Sequence, residues 1–175
     1  MIADMTYDGQ VLRWPGHGAF RASSGLPGFQ TPDQTCVKDN GPIPPGRYKL
    51  FLADQGAARD DGTGSCALKP AWGVQTIPRG AAAGDCEPYW AHWGRHRARM
   101  EPADAETRNR CPVARGGFYL HDSTKGYSHG CIEVEGRIFP ILASYARTSQ
   151  RNSLILEVAY AGGRSTYGGT RVDTE

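Results

Sequence analysis

The sequence predicts a mostly β (α+β) fold in a single domain, and three observations carry that expectation. Apolar residues come in short runs bounded by turn formers, and the 175 residues include 23 Gly and 12 Pro, which punctuate loops and tight turns. A helical period occurs once, beginning at Ile138. No repeat, low-complexity segment or linker divides the chain, and a chain of about 150 residues already buries roughly 70% of its unfolded surface.

The elements follow in order. Met5, Tyr7, Val11 and Leu12 flank Asp8-Gly9, which reads as two short strands about a tight turn. Ala19 to Ser23 continues that sheet, and Ser24-Gly25-Leu26-Pro27-Gly28 stops it. The rigid run Asn40-Gly41-Pro42-Ile43-Pro44-Pro45-Gly46 leads into a strand from Arg47 to Leu52. Positions 54–70 read as a long polar loop and Trp72 to Ile77 as another strand. Phe118-Tyr119-Leu120 would end a strand at His121, where a rigid scaffold commonly presents a working side chain. Beyond it, Ile138, Ile141, Leu142 and Tyr145 form the stripe of an amphipathic helix, with Pro140 tolerable in its first turn. Ser153 to Tyr160 is a closing buried strand. The domain is expected to occupy residues 1–161, and the Gly-rich tail, 162–175, to be loose.

Bulk electrostatics exclude little. The net charge is +2, from 20 basic and 18 acidic residues, too small an excess to argue for nucleic acid. Arg95, Arg97, Arg99, Arg108, Arg110 and Arg115 cluster, and read as a solvated loop or helix face before an anion-binding rim. No apolar stretch approaches the ~20 residues of a membrane span, so no membrane insertion is expected. The first eight residues lack a basic segment followed by an apolar one, so no secretory signal peptide is expected. Among the five cysteines, Cys36, Cys66, Cys86 and Cys111 lie in loop-like sequence and permit three pairings, which would suit an oxidising compartment. Cys86, His92 and His96 have spacing that could ligate zinc. No second cysteine or glutamate accompanies them, and neither metal nor cofactor is expected.

Chemistry concentrates around the fifth cysteine. A thiol acts as a nucleophile only as thiolate, and needs a base or a positive field to supply it near pH 7. His121 and His129 lie ten and two residues before Cys131, so one could take the proton while the other donates to a developing oxyanion. Gly130 permits a sharp turn whose backbone N–H groups approach the reacting carbonyl. Ser128 and Asp122 could fix a histidine tautomer.

The stretch His121…Ser128-His129-Gly130-Cys131-Ile132 resembles the signature of L,D-transpeptidases of the YkuD type. Tyr7-Asp8-Gly9-Gln10, Ser24-Gly25 and Gly41-Pro42-Ile43-Pro44-Pro45-Gly46-Arg47-Tyr48 are similar to relatives classed as domain of unknown function 2778 (DUF2778), which include antibacterial effectors delivered by type VI secretion. The resemblance implies a YkuD-like β-sandwich or mixed sheet with one short helix after the cysteine turn. It implies attack on peptidoglycan stem peptides at the bond between the L-centre of diaminopimelate and D-alanine. Cys131 would form the acyl-enzyme, His121 would be the base, and Ser128-His129-Gly130-Cys131 would receive the oxyanion. Resolution by water gives an L,D-carboxypeptidase, and resolution by an amine gives cross-linking or D-amino acid exchange.

Asp122, Tyr127 and Arg137 are the expected substrate contacts. The same resemblance implies synthesis in the cytoplasm, action in the periplasm of target bacteria, and a cognate immunity protein as partner. Two departures stand out. Only nine residues separate His121 from Cys131, which shortens the loop and would leave a more open cleft favouring water. Glu133 stands where Asn or Arg is common, so a substrate-carboxylate contact there would pass to Arg137 or the Arg95–Arg115 cluster. The competing readings are a cysteine peptidase or amidase of another fold, and a non-catalytic wall-binding module in which Cys131 is buried and inert.

Overall fold

The computed structural model describes residues 2–172. Ten strands form one mixed sheet: β1 (Met5–Tyr7), β2 (Val11–Trp14), β3 (Gly18–Ser23), β4 (Gly46–Phe51), β5 (Asp54–Ala57), β6 (Val74–Thr76), β7 (His96–Pro102), β8 (Phe118–His121), β9 (Ile132–Val134) and β10 (Ser153–Val158). Among the described residues three α-helices accompany them: the single turns α1 (Glu87–Trp90) and α2 (Ala105–Arg108), and α3 (Ile138–Ser149).

Eight strands close in the order β4-β10-β1-β2-β3-β9-β8-β7, because β7 returns to pair with β4 through Leu50↔Met100, Lys49↔Glu101 and Tyr48↔Pro102. β7 forks: its first residues pair instead with β6, through Thr76↔His96 to Val74↔Ala98, and β6 carries β5 outside the ring. A mostly β fold with a helix after the cysteine turn is therefore present, but as a closed barrel rather than a sandwich. Seven residues give β7 the length to serve two partners, and that closes the sheet.

An eight-strand barrel has an interior that side chains can fill. Met5, Tyr7, Leu12, Phe20, Leu50, Met100, Leu120, Ile132 and Leu156 fill this one, joined by Ile138, Phe139 and Leu142 of α3. Truncating one such residue to alanine typically costs about 2–5 kcal/mol. Pro140 is the third residue of α3, where its missing N–H has no intrahelical partner to lose.

Outside the barrel, residues 54–93 form an excursion with its own small core of Ala58, Leu68, Ile77, Ala83 and Trp90, closed by a Cys66–Cys86 disulfide. A second disulfide joins Cys36 to Cys111. The expected loop at 54–70 thus contains β5 and a bridge between Asp60 and Leu68.

Two further expectations are corrected. The arginine stretch divides: Arg95, Arg108 and Arg110 are exposed, with Arg108 in α2, whereas Arg97 and Arg99 lie in β7, where Ala98 and Met100 turn inward and Arg97 is buried between the Trp93 and Tyr119 rings at 4.6 and 4.1 Å. The tail from Gly162 is not loose as far as Val172: Thr166 and Thr170 are buried, and Thr166 Oγ1 donates to the Ser24 carbonyl at 2.7 Å. Residues 173–175 of that tail, and Met1 of the expected domain, lie outside the described residues.

Candidate active site

β8 and β9 are adjacent and parallel, with Leu120 opposite Ile132 and His121 opposite Glu133. Strand alternation sends Phe118, Leu120, Ile132 and Val134 into the barrel, and Tyr119, His121, Cys131 and Glu133 to its outer face. Parallel neighbours usually need a crossover of a dozen or more residues. These strands have only four and three residues, so the short loop of residues 122–131 can return the chain.

Glu133 holds that loop. Its fully buried carboxylate accepts from the Gly126 N–H at 2.8 Å, the Lys125 N–H at 3.1 Å, and the hydroxyls of Ser123 and Thr170. Burial raises its pKa, while these donors favour the charged form. The position is therefore a buried loop anchor and not a cleft residue.

Cys131 is half-buried at the head of β9, and its Sγ receives the Tyr119 N–H at 3.4 Å. Burial raises the thiol pKa, and the Tyr119 amide, Arg97, Lys125 and Arg99 pull the other way without overcoming it. His121 is buried, and burial with the nearby Lys125 lowers its pKa to about 3. At neutral pH the pair is therefore a thiol and a neutral imidazole. His121 Nδ1 lies 3.2 Å from the Trp93 carbonyl and 3.1 Å from Ser123 Oγ. The carbonyl can only accept, which assigns the ring proton to Nδ1 and leaves Nε2 as the basic nitrogen.

His92, Trp93, His121, Lys125, Ser128, His129 and Cys131 line one cavity of about 260 Å³. The signature residues in it have different tasks. Gly130 has φ +110°, a conformation that requires glycine, and a Cβ there would also press on the Arg115 guanidinium. Arg115 in turn donates to the carbonyls of Thr35, Gly41 and Pro42, tying the turn to the rigid Gly-Pro-Ile-Pro segment. Ser128 is buried; its hydroxyl donates to the Cys131 carbonyl and accepts from the Gly25 N–H at 3.3 Å, which clamps the turn rather than a histidine. His129 Nδ1 lies 3.0 Å from the Asp39 carbonyl and donates to it, which ties the ring to the segment before Gly41.

The three expected substrate contacts do not line this cavity. Asp122 accepts from the Arg95 and His96 N–H groups and faces His96 Nδ1 at 2.8 Å; those bonds outweigh burial and lower its pKa. Arg137 donates to the Ala19 carbonyl and lies over Phe20. Tyr127 sits 4.7 Å from Lys125 Nζ in a neighbouring groove. Sequence reasoning missed Ser123 and Lys125. Ser123 carried one usable signal, its period-2 spacing from His121. Cys86 is consumed by its disulfide, and among the described residues no cluster of His, Cys, Asp or Glu could hold a metal ion. No helix among them is long and apolar enough to cross a membrane.

A family model described as the Tlde1 domain matches residues 18–156, which take in the whole of the cavity above. No curated protein matches the chain.

Proposed function

The chain belongs to the Tlde1 domain family, a type VI secretion effector family related to DUF2778, and from that premise we propose that it is a peptidoglycan L,D-carboxypeptidase or L,D-transpeptidase with Cys131 as nucleophile. The observation that carries the proposal is the pairing of Cys131 with His121 in one cavity, with Nδ1 of the histidine engaged by Trp93 and Ser123.

Cys131 Sγ attacks the carbonyl of the diaminopimelate L-centre while His121 Nε2 takes the thiol proton. Since thiol and imidazole are both neutral at rest, the proton moves as the S–C bond forms. Backbone N–H groups of the Gly130–Cys131 turn receive the oxyanion. Collapse breaks the C–N bond, the imidazolium protonates the departing D-alanine amine, and a thioester remains. Water or an amine then resolves it, with His121 again taking the proton.

The test is incubation with purified tetrapeptide muropeptides, with and without a free D-amino acid, followed by mass spectrometry. D-Alanine release or exchange by the parent, absent in Cys131→Ala, supports the proposal. Intact substrate in both sinks it. Comparison of L- and D-alanine-terminated peptides separates it from a general cysteine peptidase.

A further inference from the structure

The segment 162–172 lies beyond the matched family domain, yet it is built into the molecule. Ser24 N–H donates to the Thr166 carbonyl at 3.0 Å and Thr166 N–H to the Gln30 carbonyl at 2.9 Å. Gly168 N–H donates to Ser23 Oγ at 2.8 Å, Thr170 reaches Glu133, and Val172 N–H donates to the Thr124 carbonyl at 2.9 Å. The backbone approaches so closely that a Cβ on Gly168 would stand 2.2 Å from the Ala22 and Gln10 carbonyl oxygens.

These anchors leave Tyr167, 38% exposed, and Arg171 at the wall of a groove of about 700 Å³. Pro27, Gln30, Lys125 and Tyr127 complete the part that matters here. Lys125 lines both this groove and the Cys131 cavity, so the two spaces share a wall. Gln30 Nε2 fixes that wall by donating to the Gly126 carbonyl at 2.7 Å.

The Cys131 cavity alone, about 260 Å³, falls below the ~300–1,000 Å³ of pockets that engulf a small ligand. A stem peptide with its sugar must extend outside it. Tyrosine rings offer flat amphipathic faces to sugars and peptide planes, and guanidinium and ammonium groups pair with carboxylates. We infer that the groove between Tyr127 and Tyr167 is a subsite for the carboxylate-bearing, sugar-linked part of the stem peptide remote from the scissile bond. The inference rests on the peptidoglycan reading, and gives the C-terminal segment a specificity role.

Two arms test it. In the Cys131→Ala protein, calorimetry compares binding of a disaccharide tetrapeptide before and after adding Tyr167→Ala and Arg171→Ala. In the parent background, the same two substitutions are scored by kcat/KM on the disaccharide tetrapeptide relative to a minimal diaminopimelyl-D-alanine donor, with Tm checked in each protein. Binding tenfold or more weaker, and a selectivity ratio that falls by a similar factor through KM, is expected. Unchanged affinity and ratio in folded variants overturn the inference, and the calorimetric arm gives that answer whether or not turnover is seen. A parent that leaves every muropeptide intact contradicts the peptidoglycan reading instead.

Discussion

Ser123 Oγ lies 3.1 Å from His121 Nδ1 and donates its own proton to Glu133, so a buried carboxylate bears on the ring through one serine. The same carboxylate holds the loop backbone at Lys125 and Gly126, which couples the tautomer of His121 to the course of the loop. Ser123→Ala removes one Nδ1 contact and leaves the Trp93 carbonyl. Its kcat should fall about tenfold, equivalent to ~1.4 kcal/mol, with KM little changed. Glu133→Gln turns an amide donor toward groups that themselves donate, and should cost ~1–3 kcal/mol of stability as well. Denaturation and steady-state kinetics on both variants check this; parental behaviour from both would show that the serine bridge is idle.

The histidine also sets a pH signature. In the unfolded chain His121 takes up a proton near 6.5, whereas the folded ring stays neutral down to about 3. Between those values the unfolded state binds the additional proton, so stability falls as pH falls, by at most ~1.4 kcal/mol per pH unit from this group. The raised Glu133 acts in the opposite direction, and comparison with His121→Asn cancels its contribution. Melting from pH 7 to pH 4 should show a steeper loss in the parent than in His121→Asn. The acid limb of kcat/KM should correspondingly lie well below pH 6.5.

Both disulfides brace walls of the cavity. Cys66–Cys86 closes the excursion that carries Trp93, and Cys36–Cys111 braces the loop carrying Thr35 and Asp39, partners of Arg115 and His129. For separations of 20 and 75 residues, loop-closure entropy corresponds to ~3 and ~4.5 kcal/mol. Cys66→Ser with Cys86→Ser should lower Tm by roughly 6–12 °C. It should also depress kcat by loosening the Trp93 carbonyl that holds His121. Thermal melts and turnover with and without dithiothreitol read both effects.

Gly130 offers a sharper local test. Gly130→Ala places a Cβ at φ +110° and against Arg115, at a cost of about 1–3 kcal/mol in backbone strain alone. Activity should fall by more than a hundredfold, because relief of the clash moves the turn that precedes Cys131. Gly163→Ala, where nothing lies within 4 Å of the added Cβ, is the control expected to melt and turn over like the parent.

The grouping of the signature residues was more legible in the sequence than the frame that carries them. Cys131, His121, Gly130 and the Gly-Pro-Ile-Pro run stood out because each depends on residue type and local spacing; Cys131 and His121 line one cavity, and Arg115 links the Gly130 turn to the Gly-Pro-Ile-Pro run. β7 was hidden by its arginines, although Arg97, Ala98, Arg99 and Met100 already alternate polar and apolar as a strand facing a core does. Barrel closure was illegible because it depends on Leu50 meeting Met100, a long-range pairing that no local pattern encodes. The anchored tail was misjudged for a related reason: Thr166 and Thr170 gain their burial from Ser24 and Glu133, far away in the chain. Asp122 faces away from the cavity because side chains one residue apart on a strand diverge, and Arg137, at the start of α3, is held by the Ala19 carbonyl and the Phe20 ring.

The measurement closest to the central claim is intact-protein mass spectrometry of the parent and Cys131→Ala after brief exposure to a tetrapeptide muropeptide. The account expects the parent to gain the mass of the substrate less D-alanine, with the adduct mapped to Cys131 and discharged by water or by an added D-amino acid. No adduct on the parent, together with identical product profiles from the parent and Cys131→Ala, would contradict it.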